Sequence, residues 1–308
     1  ADLIRLLDTL RDHYAVSDDL EASVEANPSD VDLATLCALR AGGVDRVSFG
    51  VQSFDDRTLH MIDRTHGAED ARRAVAAARA AGLRTWSMDL IFGLPRQTVR
   101  DWERTLDAAL QLEPPHLSVY GLTIEDRTPF QARIERGRLT VPGEEAQAAM
   151  FAHALERIPS AGLNRYEISN HARPGHECRH NRMYWRNGEH FGFGAGAAGY
   201  RNGVRTVNVR RPSEYIRRVA QSPRNPFEDR EQLDDDARLG ETMMVGLRVT
   251  EGVDLDEMSH RFGVNVAKRY AEAIRWAVDR RLAECVDGRL RLTREGLPLA
   301  SEVMARFL

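Results

Sequence analysis

The sequence of 308 residues contains few cysteines and no pairing pattern among them. Cys37, Cys178 and Cys285 lie far apart, and none belongs to a C-x-x-C motif. A disulfide-rich secreted domain or a cysteine-built zinc site would need closely spaced cysteines. The sequence therefore excludes both classes, and a chain of this length can bury a sizeable core without disulfide support.

Long apolar runs and an excess of positive charge are also missing. No apolar run approaches the roughly 20 residues that a membrane-spanning helix needs. No basic stretch followed by an apolar one opens the chain, so nothing indicates secretion. The formal net charge of -4 at pH 7 argues against a nucleic-acid partner. We therefore expect a cytoplasmic protein, and a peripheral position at a membrane stays open.

Short β-branched or aromatic stretches alternate with amphipathic helical patterns in the first part of the chain. The five strand patterns are 23–27, 46–52, 86–93, 116–122 and 165–170. The helical patterns between them are 31–41, 68–81, 98–112 and 144–158. This alternation predicts an α/β fold with repeated βα units around a parallel sheet.

Four of the predicted strands carry a polar residue inside or directly after an apolar run. These residues are Glu25, Gln52, Asp89 and Tyr120. In βα barrels the chemistry gathers at the C-terminal ends of the strands. A single such residue is more often a hydrogen-bonded core group or a helix N-cap, but four at equivalent places favour a shared site.

The pattern divides the chain into three parts: 1–172 as a partial barrel, 173–230 as a bridging segment and 231–308 as an auxiliary domain. The glycine-rich run 188–200 predicts tight backbone packing rather than phosphate binding, because it does not join an early strand to a helix. The stretch 210–233 has Pro212, Pro223 and Pro226 among charged residues, which predicts a connection between domains.

The last part predicts helices around a hairpin at Asp287 and Gly288, followed by a closing helix from Pro298, as in a winged-helix unit. Winged helices often bind DNA. The acidic stretch that begins near Glu228 favours instead a small domain that packs over the barrel.

Six short motifs together resemble one family. They are EANP, SFGVQSF, DRTH, DLIFGLP, YEISN and HNRMYW. The chain resembles the oxygen-independent coproporphyrinogen III oxidases and the haem chaperones related to them, within the radical S-adenosylmethionine (SAM) superfamily. The resemblance covers nearly the whole chain, and HNRMYW after YEISN is its most specific part. It implies a partial (β/α)6 barrel with an auxiliary C-terminal domain.

The resemblance places SAM binding on Glu25, Gln52, Arg64 and Asp89. SAM offers a ribose diol, an ammonium group and a carboxylate, which call for acceptors and for a cationic fork. Asp89 and Gln52 suit the ribose hydroxyls, and Arg64 can pair with the carboxylate. Glu25 can accept from the ribose or the ammonium group. Without the flanking DRTH pattern, Arg64 would be interpreted as a surface arginine.

The cysteine motif of the family is missing. Members bind a 4Fe-4S cluster through three cysteines in C-x-x-x-C-x-x-C, and this chain has no such motif. Because five strands are visible where six are expected, we expect that one βα unit of roughly thirty residues is missing at the N-terminus. The alternative is a member that never held a cluster. The implied cofactors are SAM, haem and a 4Fe-4S cluster whose ligands are absent from this chain.

The haem-chaperone branch associates an H-N-x-x-Y-W motif with haem, and His180, Asn181, Tyr184 and Trp185 match it. Histidine can ligate haem iron, and the aromatic side chains offer flat apolar surface. In the alternative interpretation, Tyr184 and Trp185 anchor a core between domains and His180 caps a loop. Cys178 is a second candidate ligand, although nothing in the sequence fixes it as one.

Two functions follow from the resemblance. We favour a haem chaperone that binds haem and SAM, passes haem to acceptor proteins such as membrane-associated respiratory proteins, and can form a homodimer. The alternative is an oxidase that converts two propionates of coproporphyrinogen III to vinyl groups by radical decarboxylation. DRTH combined with YEISN and HNRMYW resembles the chaperones more. A metal-dependent barrel hydrolase ranks last, because only His116 lies in a predicted strand.

Overall fold

The computed structural model describes residues 2–222 and 226–308 and divides the chain into two compact units. Unit 1 is Ala1–Glu177 and unit 2 is Cys178–Leu308. Pro223, expected in the connection between domains, lies outside the described residues.

Unit 1 alternates strands and helices along its sequence. Its strands are β1 (Ser23–Ala26), β2 (Arg46–Gln52), β3 (Thr85–Phe92), β4 (His116–Gly121), β5 (Asn164–Arg165) and β6 (Asn170–Ala172). Its helices are α1 (Asp2–His13), α2 (Leu33–Ala41), α3 (Asp56–Met61), α4 (Ala68–Ala81), α5 (Val99–Gln111), α6 (Pro129–Glu135) and α7 (Glu144–Arg157). The α/β class predicted from the sequence is confirmed.

Local signals in the sequence set the ends of the helices that cross between strands. The Asp32 side chain accepts a hydrogen bond from the Thr35 amide at the start of α2. Thr98 and Asp101 cap each other's backbone at the start of α5. Gly82 ends α4 with a φ of 65°, a left-handed conformation that glycine adopts without strain.

The sheet of unit 1 has the order β1-β2-β3-β4-β6-β5. The neighbours from β1 to β4 are parallel, whereas β6 is antiparallel to β4 and β5 is antiparallel to β6. The prediction of a single strand, the fifth, over 165–170 was wrong, because two short strands, β5 and β6, lie there instead. The buried carboxylate of Glu167 accepts hydrogen bonds from the Ser169 amide and the Asn170 side chain, which turns the chain back on itself.

The two faces of this sheet have opposite character. Residues of one parity pack against the helices in the apolar core, such as Phe49 in β2 and Met88 in β3. Residues of the other parity are mostly polar: Arg46, Ser48, Gly50 and Gln52 in β2, Thr85, Ser87 and Asp89 in β3, and His116, Ser118 and Tyr120 in β4. Since side chains alternate along a strand, these residues share the face away from the helices.

Hydrogen bonds hold the buried members of the polar face. Arg46 donates to the His176 carbonyl oxygen at 3.0 Å. His116 lies 2.8 Å from the Ser87 hydroxyl and 2.9 Å from the Tyr166 hydroxyl, and burial lowers its pKa well below the usual value. The one histidine in a predicted strand is therefore a neutral, hydrogen-bonded group of the unit's interior.

Unit 2 contains two small antiparallel sheets and several helices. Its strands are β7 (Ala198–Arg201), β8 (Val204–Asn208), β9 (Phe227–Gln232), β10 (Val253–Asp254), β11 (Ala283–Val286) and β12 (Arg289–Leu292). Its helices are α8 (Arg179–Trp185), α9 (Pro212–Gln221), α10 (Asp235–Gly246), α11 (Leu255–Phe262), α12 (Val266–Arg269), α13 (Ala271–Asp279) and α14 (Ala300–Ala305). The sheets have the orders β7-β8-β9 and β10-β12-β11.

Unit 2 shows the predicted hairpin but replaces part of the expected connection with regular structure. Asp287 and Gly288 turn between β11 and β12 with φ values of 50° and 75°, as a tight two-residue hairpin requires. Instead of a plain linker, the stretch 210–233 contains α9 and β9. In the glycine-rich run, a Cβ atom on Gly192 would lie 2.3 Å from the Ala198 carbonyl oxygen, so the backbones approach too closely for a side chain.

None of the helices in the described ranges is both long and apolar enough to span a membrane.

Candidate functional site

A cavity of about 260 Å³ lies in unit 1 where β1, β2 and β3 end. It is lined by Glu25, Ala26, Asn27, Gly50, Gln52, Arg64 and Asp89. The structure thus brings together all four side chains that the sequence resemblance places around SAM. That these four bind SAM stays a prediction.

Parallel pairing explains the gathering of three of these side chains. Glu25 in β1 is paired with Ser48 in β2, Ser48 is paired with Ser87 in β3, and Asp89 follows two residues after Ser87. The carboxyl ends of parallel strands meet at one edge of a sheet, so polar residues near those ends converge. Arg64 joins them from the turn after α3, where its amide donates to the Leu59 carbonyl oxygen at 3.0 Å.

Tyr120, the fourth polar residue at a predicted strand end, does not line this cavity. Burial and the neighbouring Asp89 carboxylate raise the pKa of its phenol to about 12. Tyr120 is therefore a neutral hydroxyl beside the site.

An irregularity at the end of β2 aims Gln52 into the cavity. The register between β2 and β3 shifts between Phe49 and Gln52, and Gln52 has a φ of 64°. A residue with a side chain rarely adopts this left-handed conformation, which costs roughly 1–3 kcal/mol. In the amide orientation that satisfies both neighbours, Gln52 accepts from Arg64 Nη2 at 2.9 Å and donates to the Asp89 carbonyl oxygen at 3.3 Å.

The Asp89 carboxylate lies on the polar face of the sheet. The Ser48 hydroxyl is 3.0 Å from each of its two oxygens. Burial raises the pKa of Asp89, while hydrogen bonds from Ser118 and Ser48 act in the opposite direction and Glu25 raises the pKa further. Asp89 is thus a partly buried carboxylate that has hydroxyl donors at its side and lines the cavity.

His66, the last residue of the DRTH motif, is a buried residue for which the sequence pattern predicts no role in binding. Its side chain is 3% exposed. Nε2 donates to the Val51 carbonyl oxygen at 3.0 Å, and Nδ1 lies 2.9 Å from Oδ1 of Asn27. His66 therefore links the irregular end of β2 to a residue that lines the cavity, and its place in the motif was the signal that could have revealed it.

In unit 2, the H-N-x-x-Y-W residues lie on α8 and point in different directions. His180 and Tyr184, four residues apart, contact each other edge to face with ring centroids 4.6 Å apart. Tyr184 also contacts His190 in a T-shaped arrangement, with ring centroids 4.6 Å apart. Tyr184 is 37% exposed, which is not expected of a core anchor.

Asn181 and Trp185 occupy another side of α8, because each residue turns an α-helix by about 100°. Trp185 lines a separate cavity of about 320 Å³. The Arg248 guanidinium lies over its ring, 4.3 Å from the centroid. Within the described ranges, the buried indole nitrogen of Trp185 has no hydrogen-bond partner. The structure therefore groups His180 with Tyr184 and separates both from Trp185.

The cysteines do not fit a cluster site. Cys37 and Cys285 are exposed and Cys178 is buried. Across residues 2–222 and 226–308, no three His, Cys, Asp or Glu side chains are placed to hold a metal ion. These residues do not supply the three thiolates of a 4Fe-4S site.

Comparisons with known proteins place the chain in a family. The family model described as the Radical SAM superfamily matches residues 1–109, and that of the HemN C-terminal domain matches residues 233–299. The heme chaperone HemW of Bacillus subtilis is 37% identical over 307 residues, which cover 99% of this chain and 81% of that protein. The chain belongs to the HemW family. HemW of Lactococcus lactis is 33% identical, covering 99% of this chain and 80% of the relative.

A solved structure shares the fold of this chain. Coproporphyrinogen III oxidase (HemN) from Escherichia coli superimposes with a TM-score of 0.84 at 21% sequence identity, covering 99% of this chain and 73% of the oxidase. At this identity the likeness shows the fold alone. The HemW relatives therefore decide the family, and HemN confirms the architecture.

The pKa of Asp89 predicts a stabilising substitution. Because burial raises this pKa above its usual 3.8, the folded protein holds the proton more tightly than the unfolded chain. Stability is then lost as pH rises from 3.8 through the raised folded value. Asp89→Asn removes the buried charge. We expect the variant to be more stable than the wild type near neutral pH, by a difference that shrinks as pH falls toward 3.8.

Urea unfolding at several pH values measures this difference. Asp107→Asn is the matched control, because Asp107 pairs with Arg157 at the surface, 2.8 Å apart, and such pairs contribute about 0–1 kcal/mol. The control should not gain stability at neutral pH. If Asp89→Asn were the less stable protein there, the hydrogen bonds from Ser48 and Ser118 would outweigh burial and the explanation would be wrong.

Proposed function

We propose that this protein is a haem chaperone that binds haem and SAM and passes haem to acceptor proteins. The observation that carries the proposal is the match to proteins named heme chaperone HemW along 99% of the chain. The HNRMYW motif on α8 supports it, because it supplies an imidazole and a phenol side by side. The oxidase alternative is supported by the shared fold of HemN at 21% sequence identity and by the match to the HemN C-terminal domain, whereas relatives at 33–37% identity are named as chaperones.

The cavity of unit 1 is the proposed SAM site. Asp89 and Gln52 would accept from or donate to the ribose hydroxyls, Arg64 would pair with the methionyl carboxylate, and Glu25 would face the ammonium group. Two carboxylates and one guanidinium complement a ligand with two positive groups and one negative group. The volume of about 260 Å³ suits the polar part of a nucleoside-sized ligand rather than a porphyrin. Bound SAM supplies the precursor of a 5′-deoxyadenosyl radical, the common chemistry of the superfamily.

The proposed haem site lies on α8. His180 would ligate the iron through its imidazole, and Tyr184, packed against it, would hold the ring orientation. Trp185 and Asn181 lie on another side of the helix. We assign them to the surroundings of the site, where the indole N–H of Trp185 is a donor for a polar group.

Acceptors and assembly follow from the resemblance. We propose that the acceptors include membrane-associated respiratory proteins, reached by a cytoplasmic protein at the membrane periphery, and that a homodimer is a working form. The net charge of -4 supports the absence of a nucleic-acid partner.

Asp89→Asn should weaken SAM binding, because an amide offers one acceptor oxygen where the carboxylate offers two and carries no charge. We expect a loss of more than about 1 kcal/mol, roughly fivefold in affinity, by isothermal titration calorimetry of the 308-residue chain with SAM. Asp107→Asn, on the outer helix α5, should bind SAM like the wild type. Equal affinities for all three proteins would remove Asp89 from the site.

His180→Ala should weaken haem binding, because the variant loses the proposed iron ligand. Titration of purified protein with haem should give a Soret band for the wild type, and the variant should show a shifted band and at least about tenfold weaker binding. His260→Ala, an exposed histidine on α11 of the same unit, is the matched control and should behave like the wild type. An unchanged Soret band in His180→Ala would exclude His180 as the ligand.

A further inference from the structure

Three arginines line one cavity beside α8: Arg179 and Arg182 lie on a third side of the helix, and Arg186 directly follows its last residue. The cavity has a volume of about 580 Å³ and is lined by Arg179, Arg182, Met183, Arg186 and Gly188. No acidic residue belongs to this lining. The volume falls inside the range of about 300–1,000 Å³ that is common for small-molecule sites.

Helical spacing explains why these side chains share a side. Arg179 and Arg182 are three residues apart on α8, and Arg186 follows Arg182 by four residues. Because the Arg186 amide donates to the Arg182 carbonyl oxygen at 3.1 Å, the three side chains are neighbours. Met183 follows Arg179 by four residues and extends this side toward His180. The arginine side therefore borders the His180 and Tyr184 side.

Arg182 and Arg186 differ in their partners. Arg182 pairs with Glu251, with Nη2 and Oε1 2.7 Å apart, and half of the Glu251 side chain is exposed. Arg186 also lines the cavity that contains Trp185, and its side chain has no ion-pair or hydrogen-bond partner in the part of the chain that the structure describes. A cavity lined by three arginines and by no acidic residue is complementary to an anionic ligand.

Gly188 leaves the wall of the cavity open. A Cβ atom there would lie 2.8 Å from Cγ of Met183 and 3.0 Å from its carbonyl oxygen. The absence of a side chain lets the loop after α8 lie against Met183. Gly188 therefore sets the close approach of two lining residues of the cavity.

We propose that this cavity binds the propionate carboxylates of haem. The inference rests on the proposed haem-binding function and assigns it residues outside the H-N-x-x-Y-W pattern. Haem carries two propionates on one edge of an otherwise flat, apolar ring. A guanidinium group pairs with a carboxylate through two parallel hydrogen bonds. Arg179, Arg182 and Arg186 hold that edge, the thioether of Met183 contacts the ring, and His180 on the adjoining side faces the iron.

Haem dimethyl ester isolates the contribution of the carboxylates, because it keeps the ring and the iron but has no negative propionates. We expect the wild-type chain to bind haem at least about tenfold more tightly than the ester in Soret titrations. Replacing the three arginines together, Arg179→Gln, Arg182→Gln and Arg186→Gln, should reduce this ratio to near one while the affinity for the ester stays unchanged.

A variant with one substitution tests the same inference even if the triple variant does not fold. Arg186→Gln removes no partner contact, so it should fold normally and lower the ratio of haem to ester affinity by about threefold or more. Arg275→Gln, exposed on α13 of the same unit, is the matched control and should keep the wild-type ratio. Circular dichroism checks that each variant is folded.

The outcomes separate this inference from the function on which it rests. Equal wild-type affinities for haem and its ester would overturn the propionate site and leave haem binding intact. A triple variant that loses haem and ester equally would overturn it too, because its arginines would then act on structure. A wild-type chain that binds neither compound would overturn the haem-binding function itself, and the inference with it.

Discussion

Parallel pairing of β1, β2 and β3 is the constraint on which the candidate site depends. It aligns the carboxyl ends of three strands, so Glu25, Gln52 and Asp89 reach one cavity although more than 60 residues separate the first from the last. Because side chains alternate along each strand, the other residues of these strands fall on two opposite faces of the sheet. Apolar residues such as Phe49 pack under the helices, and polar residues such as Ser48 face the other way. The same pairing builds the core and the site.

The site is held at a cost in stability. Asp89 loses water, and Gln52 adopts a left-handed backbone that few residues with a side chain accept. Both features recur at functional sites, because side chains fixed before a ligand arrives need no ordering when it binds. His66 stabilises this strained segment through its hydrogen bond to the Val51 carbonyl oxygen. In unit 2 the distribution differs, because the single short helix α8 and the residue that follows it present an imidazole and three arginines on adjoining sides.

Strand and helix positions were predictable where one local signal dominates. The pattern over 46–52 matches β2, and that over 68–81 matches α4. The hairpin of β5 and β6 was not predictable, because the buried carboxylate of Glu167 redirects the chain by hydrogen bonds that no periodicity shows. The six-residue α3 is too short for a periodic pattern. Motif resemblance selected four side chains that do share a cavity, but the bulge that aims Gln52 and the separation of Trp185 from His180 depend on three-dimensional geometry.

The central claim is that the strand ends of unit 1 form a SAM site. A crystal structure of this chain grown with SAM tests it most directly. The account predicts ribose hydroxyls within hydrogen-bonding distance of Asp89 and Gln52 and the methionyl carboxylate paired with Arg64. SAM bound elsewhere, with the Asp89 carboxylate still bonded only to serine hydroxyls, would contradict it.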